Sequence, residues 1–345
     1  MERRDLYSMT VEELEDFVEE LGERRYRGRQ IADWLYDKLV DDVFLMTNLP
    51  KNFRSKLSEV SFVSKIEKVK IVGEWGDTQK YIFKLKDGYL IESALISFED
   101  HLTLCISTQL GCRWGCIFCK SGSKGFIRNL TLSEMVNQII QVMLDVREKK
   151  KNIYSIVFMG IGEPLDNFDE VRRLLKLLTS EYAFCFSPRR ITISTCGYIP
   201  GLQRLSLEFP KVNLAVSLNA PNDEIRNYLM PINRKYPMKE LKEVLKKYPL
   251  PPRKKITIEY VMIKDINDKE AHAKELAKFL KGLPVKINLI PYNEIPEFEF
   301  KTPTEESIKK FQKILIDKNF TVTIRKSRGF KVSAACGQLS INHEI

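Results

Sequence analysis

The stretch Gly111-Cys112-Arg113-Trp114-Gly115-Cys116-Ile117-Phe118-Cys119 carries three cysteines at the spacing Cys-x3-Cys-x2-Cys. A loop of that spacing can wrap three thiolates around one face of a [4Fe–4S] cube. Fully protein-ligated clusters use four cysteines. A three-thiolate set leaves one iron open to a small molecule, which suits catalysis better than electron carriage. Phe118, just before the third cysteine, can shield the cluster from water. Zinc loops usually join one Cys-x2-Cys pair to a second pair farther on, and this chain has no second pair.

Outward from this loop, strand and helix patterns alternate. Strand patterns fall at residues 102–107, 153–159, 190–194, 212–218, 256–262, 285–290 and 321–325. Helix patterns lie between them, at 133–149, 168–178, 239–248, 269–280 and 304–318. Regular βα alternation predicts a parallel sheet, and six or so units are too few for a closed eight-stranded barrel. Near the start, Thr10-Val11-Glu12-Glu13 reads as a capping box opening a helix to about Leu21. A second helix is expected from about Gln30 to Leu39. Between the two, Arg24, Arg25, Arg27 and Arg29 surround Tyr26 and Gly28, and read either as a nucleic-acid contact or as a solvated turn. Residues 64–96 show short alternating strands, with Lys86-Asp87-Gly88 as a hairpin turn. The chain therefore divides into a helical part (1–62), a β-rich connector (63–98) and an α/β core (99–345).

At 345 residues and 43% hydrophobic content, the chain can bury a sizeable core. No apolar run approaches the roughly 20 residues of a membrane span. The charged start Met1-Glu2-Arg3-Arg4-Asp5 has no signal-peptide character. Seven cysteines in a chain this long do not suggest a disulfide scaffold, and an oxygen-sensitive cluster needs a reducing compartment. A cytoplasmic protein with no membrane contact is expected. Net charge is +10, but residues 1–60 hold 10 Lys/Arg against 14 Asp/Glu, leaving +14 on the other 285 residues. That excess fits an anionic partner such as RNA, or a solvated lysine surface.

In a parallel barrel the active site gathers at the C-terminal strand ends, and several runs fall there. Met159-Gly160-Ile161-Gly162-Glu163-Pro164 follows one strand; its small residues allow close backbone approach to a ligand, and Glu163 offers a carboxylate to an ammonium group. Ser194, the run Ser217-Leu218-Asn219, and Asn293 close three others, where polar residues otherwise serve as helix caps. Arg325, Lys326, Arg328 and Lys331 lead towards Cys336, as phosphate contacts or as a solvated strand end. Cys185 and Cys196 read as small core residues. His101, His272 and His343 are too scattered for a metal site.

The cysteine spacing resembles the signature of radical S-adenosylmethionine (SAM) enzymes. Leu104-Cys105-Ile106-Ser107-Thr108-Gln109-Leu110-Gly111-Cys112 and Gly125-Phe126-Ile127-Arg128-Asn129-Leu130 narrow the likeness to the RlmN/Cfr group, which methylates adenosine in ribosomal RNA. The likeness runs from Arg25-Tyr26-Arg27-Gly28-Arg29-Gln30-Ile31 to Ala334-Ala335-Cys336-Gly337-Gln338-Leu339, nearly the whole chain. It implies an open, partial (β/α)6 TIM-type barrel behind a small helical N-terminal domain that contacts RNA through residues such as Arg25 and Arg27. It implies a [4Fe–4S] cluster on Cys112, Cys116 and Cys119, and SAM held by Gly162, Glu163, Ser194, Ser217, Leu218, Asn219 and Asn293. Family members commonly carry His where Asn219 stands. Two SAM molecules would serve each methyl transfer. One methylates Cys336; the other yields a radical that activates the S-methyl group for attack on the adenine ring. Glu92 would accept a proton and Cys105 would release the product by a disulfide with Cys336. The implied product is 2-methyladenosine in 23S ribosomal RNA, at the peptidyl transferase centre, and in tRNA, beside the anticodon. A flavodoxin- or ferredoxin-type reductant and a monomeric enzyme complete the expectation. Cfr-type methylation at C8, or a radical SAM activase acting on protein, are the alternatives.

Overall fold

The computed structural model describes residues 3–325, 328–329 and 332–339. Lys326, Lys331 and His343 lie outside the described residues.

The first sixty residues form a helical lobe. Strand β1 (Arg4–Asp5) leads into helices α1 (Val11–Glu20), α2 (Tyr26–Ala32) and α3 (Lys51–Val60), and β2 (Ser61–Phe62) returns parallel to β1. The capping box at Thr10 is formed: the Thr10 hydroxyl accepts from the Glu13 N–H, and the Thr10 N–H donates to Glu13 at 2.7 Å. The second helix begins four residues before its expected start. The arginine-rich run is thus its first turn and not a connection. A Cβ on Gly28 would stand 2.5 Å from the Glu15 backbone nitrogen, so this glycine marks the crossing of α1 and α2 rather than a turn.

Strands β3 (Glu67–Val72), β4 (Thr78–Lys84) and β5 (Leu90–Ser97) form an antiparallel meander. Gly88 makes the β4–β5 turn at φ +86°. Strand β6 (Leu102–Cys105) opens the barrel. An excursion follows, through β7 (Gln109–Gly111), α4 (Lys120–Ser123) and β8 (Phe126–Asn129), and it carries the three-cysteine loop. Alternation then sets in: α5 (Leu132–Glu148), β9 (Ile153–Phe158), α6 (Phe168–Thr179), β10 (Ile191–Thr195), α7 (Ile199–Glu208), β11 (Asn213–Ser217), α8 (Asp223–Leu229), α9 (Met238–Lys246), β12 (Ile256–Met262), α10 (Glu270–Leu280), β13 (Val285–Pro291), α11 (Glu305–Asp317) and β14 (Thr321–Ile324).

One sheet holds ten strands in the order β14-β13-β12-β11-β10-β9-β6-β5-β4-β3. From β6 to β14 its neighbours are all parallel. The order is linear, so the fold is an open partial α/β barrel. The connector is not a separate sheet: β5 pairs with β6, Ala94 opposite Cys105, and extends the barrel wall. Outward strand residues such as Ile256, Ile258 and Tyr260 are fully buried under the helices, with the Tyr260 and Phe311 rings 5.3 Å apart. Burial of such aliphatic and aromatic surface, at about 25 cal/mol per Å2, holds the helical layer to the sheet.

Past β14 the chain packs against the connector and the cluster loop, closing the open side. The Arg328 guanidinium donates to the Ser97 carbonyl and lies over the Phe98 ring. The Lys120 N–H donates to the Gly337 carbonyl at 2.9 Å, and the Ser121 hydroxyl to the Leu339 carbonyl at 2.7 Å. These contacts fix where Cys336 stands.

Candidate active site

Every strand end named from the sequence opens onto one pocket. Its wall includes Cys112, Cys116, Cys119, Gly162, Glu163, Ser194, Ser217, Asn219, Asn293, Arg325 and Cys336. A smaller chamber behind it is lined by Cys105, Met159, Asn293, Arg325 and Cys336. Cys336, Arg325, Asn293, Ile290 and Met159 belong to both, so they form the partition. Leu218 is fully buried behind the wall.

The three loop cysteines crowd one another, and burial pushes their thiols up, Cys112 to about 12. Among the described residues no three His, Cys, Asp or Glu side chains converge on a single ion position. A cubane does not ask for that, since each thiolate takes its own iron at a separate corner. Three buried polar atoms that line the pocket, Trp114 Nε1, Glu259 Oε2 and Tyr292 Oη, have no hydrogen-bond partner among the described residues. Buried polar atoms are rarely left so; a polar cofactor would satisfy them. The donor set and the orphaned wall fit a cluster with SAM beside it.

Glu163 is buried, and burial raises its carboxyl pKa, opposed mainly by the Cys196 N–H that donates to Oε2 at 2.7 Å. An ammonium group arriving there would find a dehydrated carboxylate. Gly162 lines the pocket and meets a packing demand as well. A Cβ at this position would meet the Gln109 side chain at 2.5 Å, at φ +99°, and Gln109 Oε1 accepts the Glu163 N–H at 2.8 Å. The glycine therefore makes room for Gln109, which orients Glu163. Gly162→Ala should lower the unfolding midpoint, by strain of about 1–3 kcal/mol, measured by thermal denaturation; an unchanged midpoint would refute the packing argument.

Asn219 stands in the left-handed region at φ +57°, a conformation asparagine tolerates. Its side-chain oxygen accepts the Val261 N–H at 2.9 Å, and its amide nitrogen lies 3.4 Å from Met230 Sδ. The side chain is thus committed to the fold, and the backbone is engaged as well: its N–H donates to the Glu259 carbonyl at 3.4 Å and its carbonyl accepts from the Asn267 side chain at 2.8 Å. Asn293 donates to the Cys336 carbonyl at 3.2 Å.

Glu92 lies outside the pocket wall, buried on β5 and paired with Lys80 at 3.0 Å. It shares a sheet face with Ala94 and therefore with Cys105. Burial, then the neighbouring Cys336, push the Cys105 thiol up to about 12. The cations named for RNA are differently placed. Arg325 is half-buried and lines both chambers, within electrostatic reach of Cys336, Glu259 and Cys105. Arg25 pairs with Asp16, Glu19 and Glu15 on α1, and Arg27 with Glu23 at 2.7 Å.

Sequence reasoning passed over Glu259, Arg226, Trp114 and Tyr292. Glu259 had a readable signal, a carboxylate in the middle of an otherwise apolar strand. Arg226 had none, because its surroundings come from the loops after β10 and β11 and from the turn that follows its own helix.

An open α/β barrel with a three-thiolate loop at its mouth and a polar cofactor pocket beside it defines a radical SAM enzyme. The radical SAM superfamily model matches residues 106–277, and the model described as ribosomal RNA large subunit methyltransferase N-terminal domain matches residues 4–63. A dual-specificity RNA methyltransferase RlmN from Geotalea uraniireducens is 46% identical over 98% of this chain and 97% of its own length. Its counterpart from Geobacter sulfurreducens is 46% identical over 97% and 91%. The crystal structure of a radical SAM methyltransferase from Sphaerobacter thermophilus superposes with a TM-score of 0.92 at 42% identity, covering 99% of this chain and all of that one. The chain belongs to the RlmN family of radical SAM enzymes.

Proposed function

We propose that this chain is a dual-specificity RNA methyltransferase. It places a methyl group on C2 of adenosine in 23S ribosomal RNA and in tRNA, by way of S-methylated Cys336. The observation that carries this reading is the pair of thiols in one chamber: Cys105 and Cys336 face the same small space, and Cys336 also faces the cofactor pocket. An activase acting on protein would have no use for that pair.

When bound at the cluster, SAM supplies a methyl group and the oxidising equivalent that activates it. The protein's own residues do the rest. Glu163 receives the ammonium end. Ser194 and Ser217, with the backbone around Leu218 and Asn219, line the pocket for the remainder of SAM. Asn293 and the Lys120 N–H hold the Cys336 segment by its carbonyls, so the sulfur keeps its place through both half-reactions. Cys105 stays a thiol while the site is closed. Glu92, on the same sheet face, is the proton acceptor when the adduct rearomatises. Electrons come from a flavodoxin or ferredoxin, the enzyme works as a monomer, and its RNA substrates place it in the cytoplasm. Among the described residues no helix is long and apolar enough to cross a membrane.

The test is mass spectrometry of nucleosides from RNA treated with anaerobically reconstituted protein, chromatographed against 2- and 8-methyladenosine. A 2-methyladenosine peak supports the reading; an 8-methyladenosine peak or unmodified RNA overturns it. The logarithm of the RNA association constant should fall linearly with the logarithm of salt concentration. Replacing exposed Arg328 with Gln should reduce that slope by about 1, whereas Arg25→Gln, already neutralised by α1, should leave it unchanged. The reverse pattern would move the phosphate contacts to the N-terminal lobe.

A further inference from the structure

Arg226, on α8, is fully buried, the largest side chain to be so among the described residues. Its guanidinium donates to the Cys196 carbonyl at 2.6 Å, the Leu218 carbonyl at 3.2 Å and the Asn233 side-chain oxygen at 2.8 Å. All three acceptors are neutral. Among the described residues no carboxylate forms an ion pair with it; Asp223 is reached only through Asn233, which donates to it at 2.8 Å. A buried cation without a counter-charge is costly, and removing the partner of a buried charge is strongly destabilising. Neutral hydrogen bonds satisfy the N–H groups but leave the charge unbalanced.

The missing negative charge has a natural source. Arg226 lies under the cluster loop: the Ile117 N–H donates to the Leu229 carbonyl at 3.1 Å, and Cys116, Cys196 and Ile225 pack on the apolar group that contains Leu229 and Met230. Negative charge on Cys196 and Cys116 would favour its own more than that of Asp223 does. A resting cubane core carries two positive charges against three thiolates, so the loaded site is net anionic, and one-electron reduction makes it more so. Net charge and buried surroundings set the potential of such clusters.

We propose that Arg226 is the buried counter-charge of the iron–sulfur cluster, raising its reduction potential and coupling cluster loading to the stability of the strand ends. The cation favours the more negative, reduced cluster. Its hydrogen bonds to Cys196 and Leu218 tie that charge to the loops that carry the Glu163 contact and the Ser217–Asn219 run. This assignment needs only the cluster, not the RNA reading, so failed RNA methylation would leave it standing.

Two measurements on Arg226→Met and Arg226→Lys, each reconstituted anaerobically, test it. In an EPR-monitored redox titration, Arg226→Met should be at least tenfold harder to reduce, 59 mV for a one-electron couple, while Arg226→Lys stays near the wild-type potential. In thermal unfolding with and without the cluster, the gain in Tm on loading should be smaller for Arg226→Met than for wild type. A structural staple alone would weaken both forms equally. An Arg226→Met protein with full iron content, an unshifted potential and an undiminished gain overturns the proposal. Should Arg226→Met fail to fold even when loaded, a shifted potential in Arg226→Gln supports the proposal and an unshifted one overturns it.

Discussion

The Cys105→Ala protein is expected to stop as a covalent protein–RNA adduct. Cys336 carries the methyl group, so Cys336→Ala should lose all transfer while keeping its cluster and its SAM affinity. Cys105 acts only after the carbon–carbon bond has formed, when its sulfur displaces the product from Cys336. Without it, the RNA stays attached through the bridging carbon. The adduct should survive denaturation, appear as a shifted band containing RNA, and vanish in the Cys105→Ala/Cys336→Ala protein. The geometry supports this division of labour: both sulfurs face one chamber, but Cys336 alone also faces the cofactor pocket. Repeated turnover by Cys105→Ala, with no trapped RNA, would show that another thiol resolves the intermediate. Cys196 lines the cofactor pocket but not the rear chamber, so such a result would also require the product to move between them.

How much of this could be read from the chain alone depended on whether the determinants were local. The cluster loop, the capping box at Thr10 and the hairpin at Gly88 depend on neighbours within a few residues, and they could be placed. The barrel strands could be placed too, because strands covered on both faces show continuous apolar runs. Glycines were ambiguous, since one residue type serves unlike purposes. Gly28 looked like a turn and lets α2 lie on α1; Gly162 lines the pocket and also yields its space to Gln109. Charge pairing was hidden for a related reason. Folding sets Arg25 against the acidic residues of α1 and Arg27 beside Glu23, just past that helix, and β14 brings Arg325 to the pocket wall. Side-chain to backbone pairings between loops leave no period in a sequence, and Arg226, held by the Cys196 carbonyl thirty residues back as well as by nearby Leu218 and Asn233, is the clearest case.

Replacing any one of Cys112, Cys116 or Cys119 with Ala should abolish both the cluster and methyl transfer. Each thiolate takes its own iron, so the remaining two cannot hold three corners of the cube, and a neutral methyl in the buried loop offers nothing in place of the sulfur. The measurements are iron and sulfide content after anaerobic reconstitution, with about four of each in the parent protein, and the change SAM makes to the reduced EPR spectrum. Cys196 supplies the stringent control, because it too lines the pocket. It differs in its surroundings: it comes from the end of β10 and not from the loop, and its backbone N–H is engaged with Glu163. A fourth thiolate on the open iron would occupy the corner that SAM needs. Cys196→Ala should therefore keep its full iron content and its response to SAM. Loss of iron from Cys196→Ala, or its retention in any of the loop variants, would mean that the three-thiolate assignment is wrong.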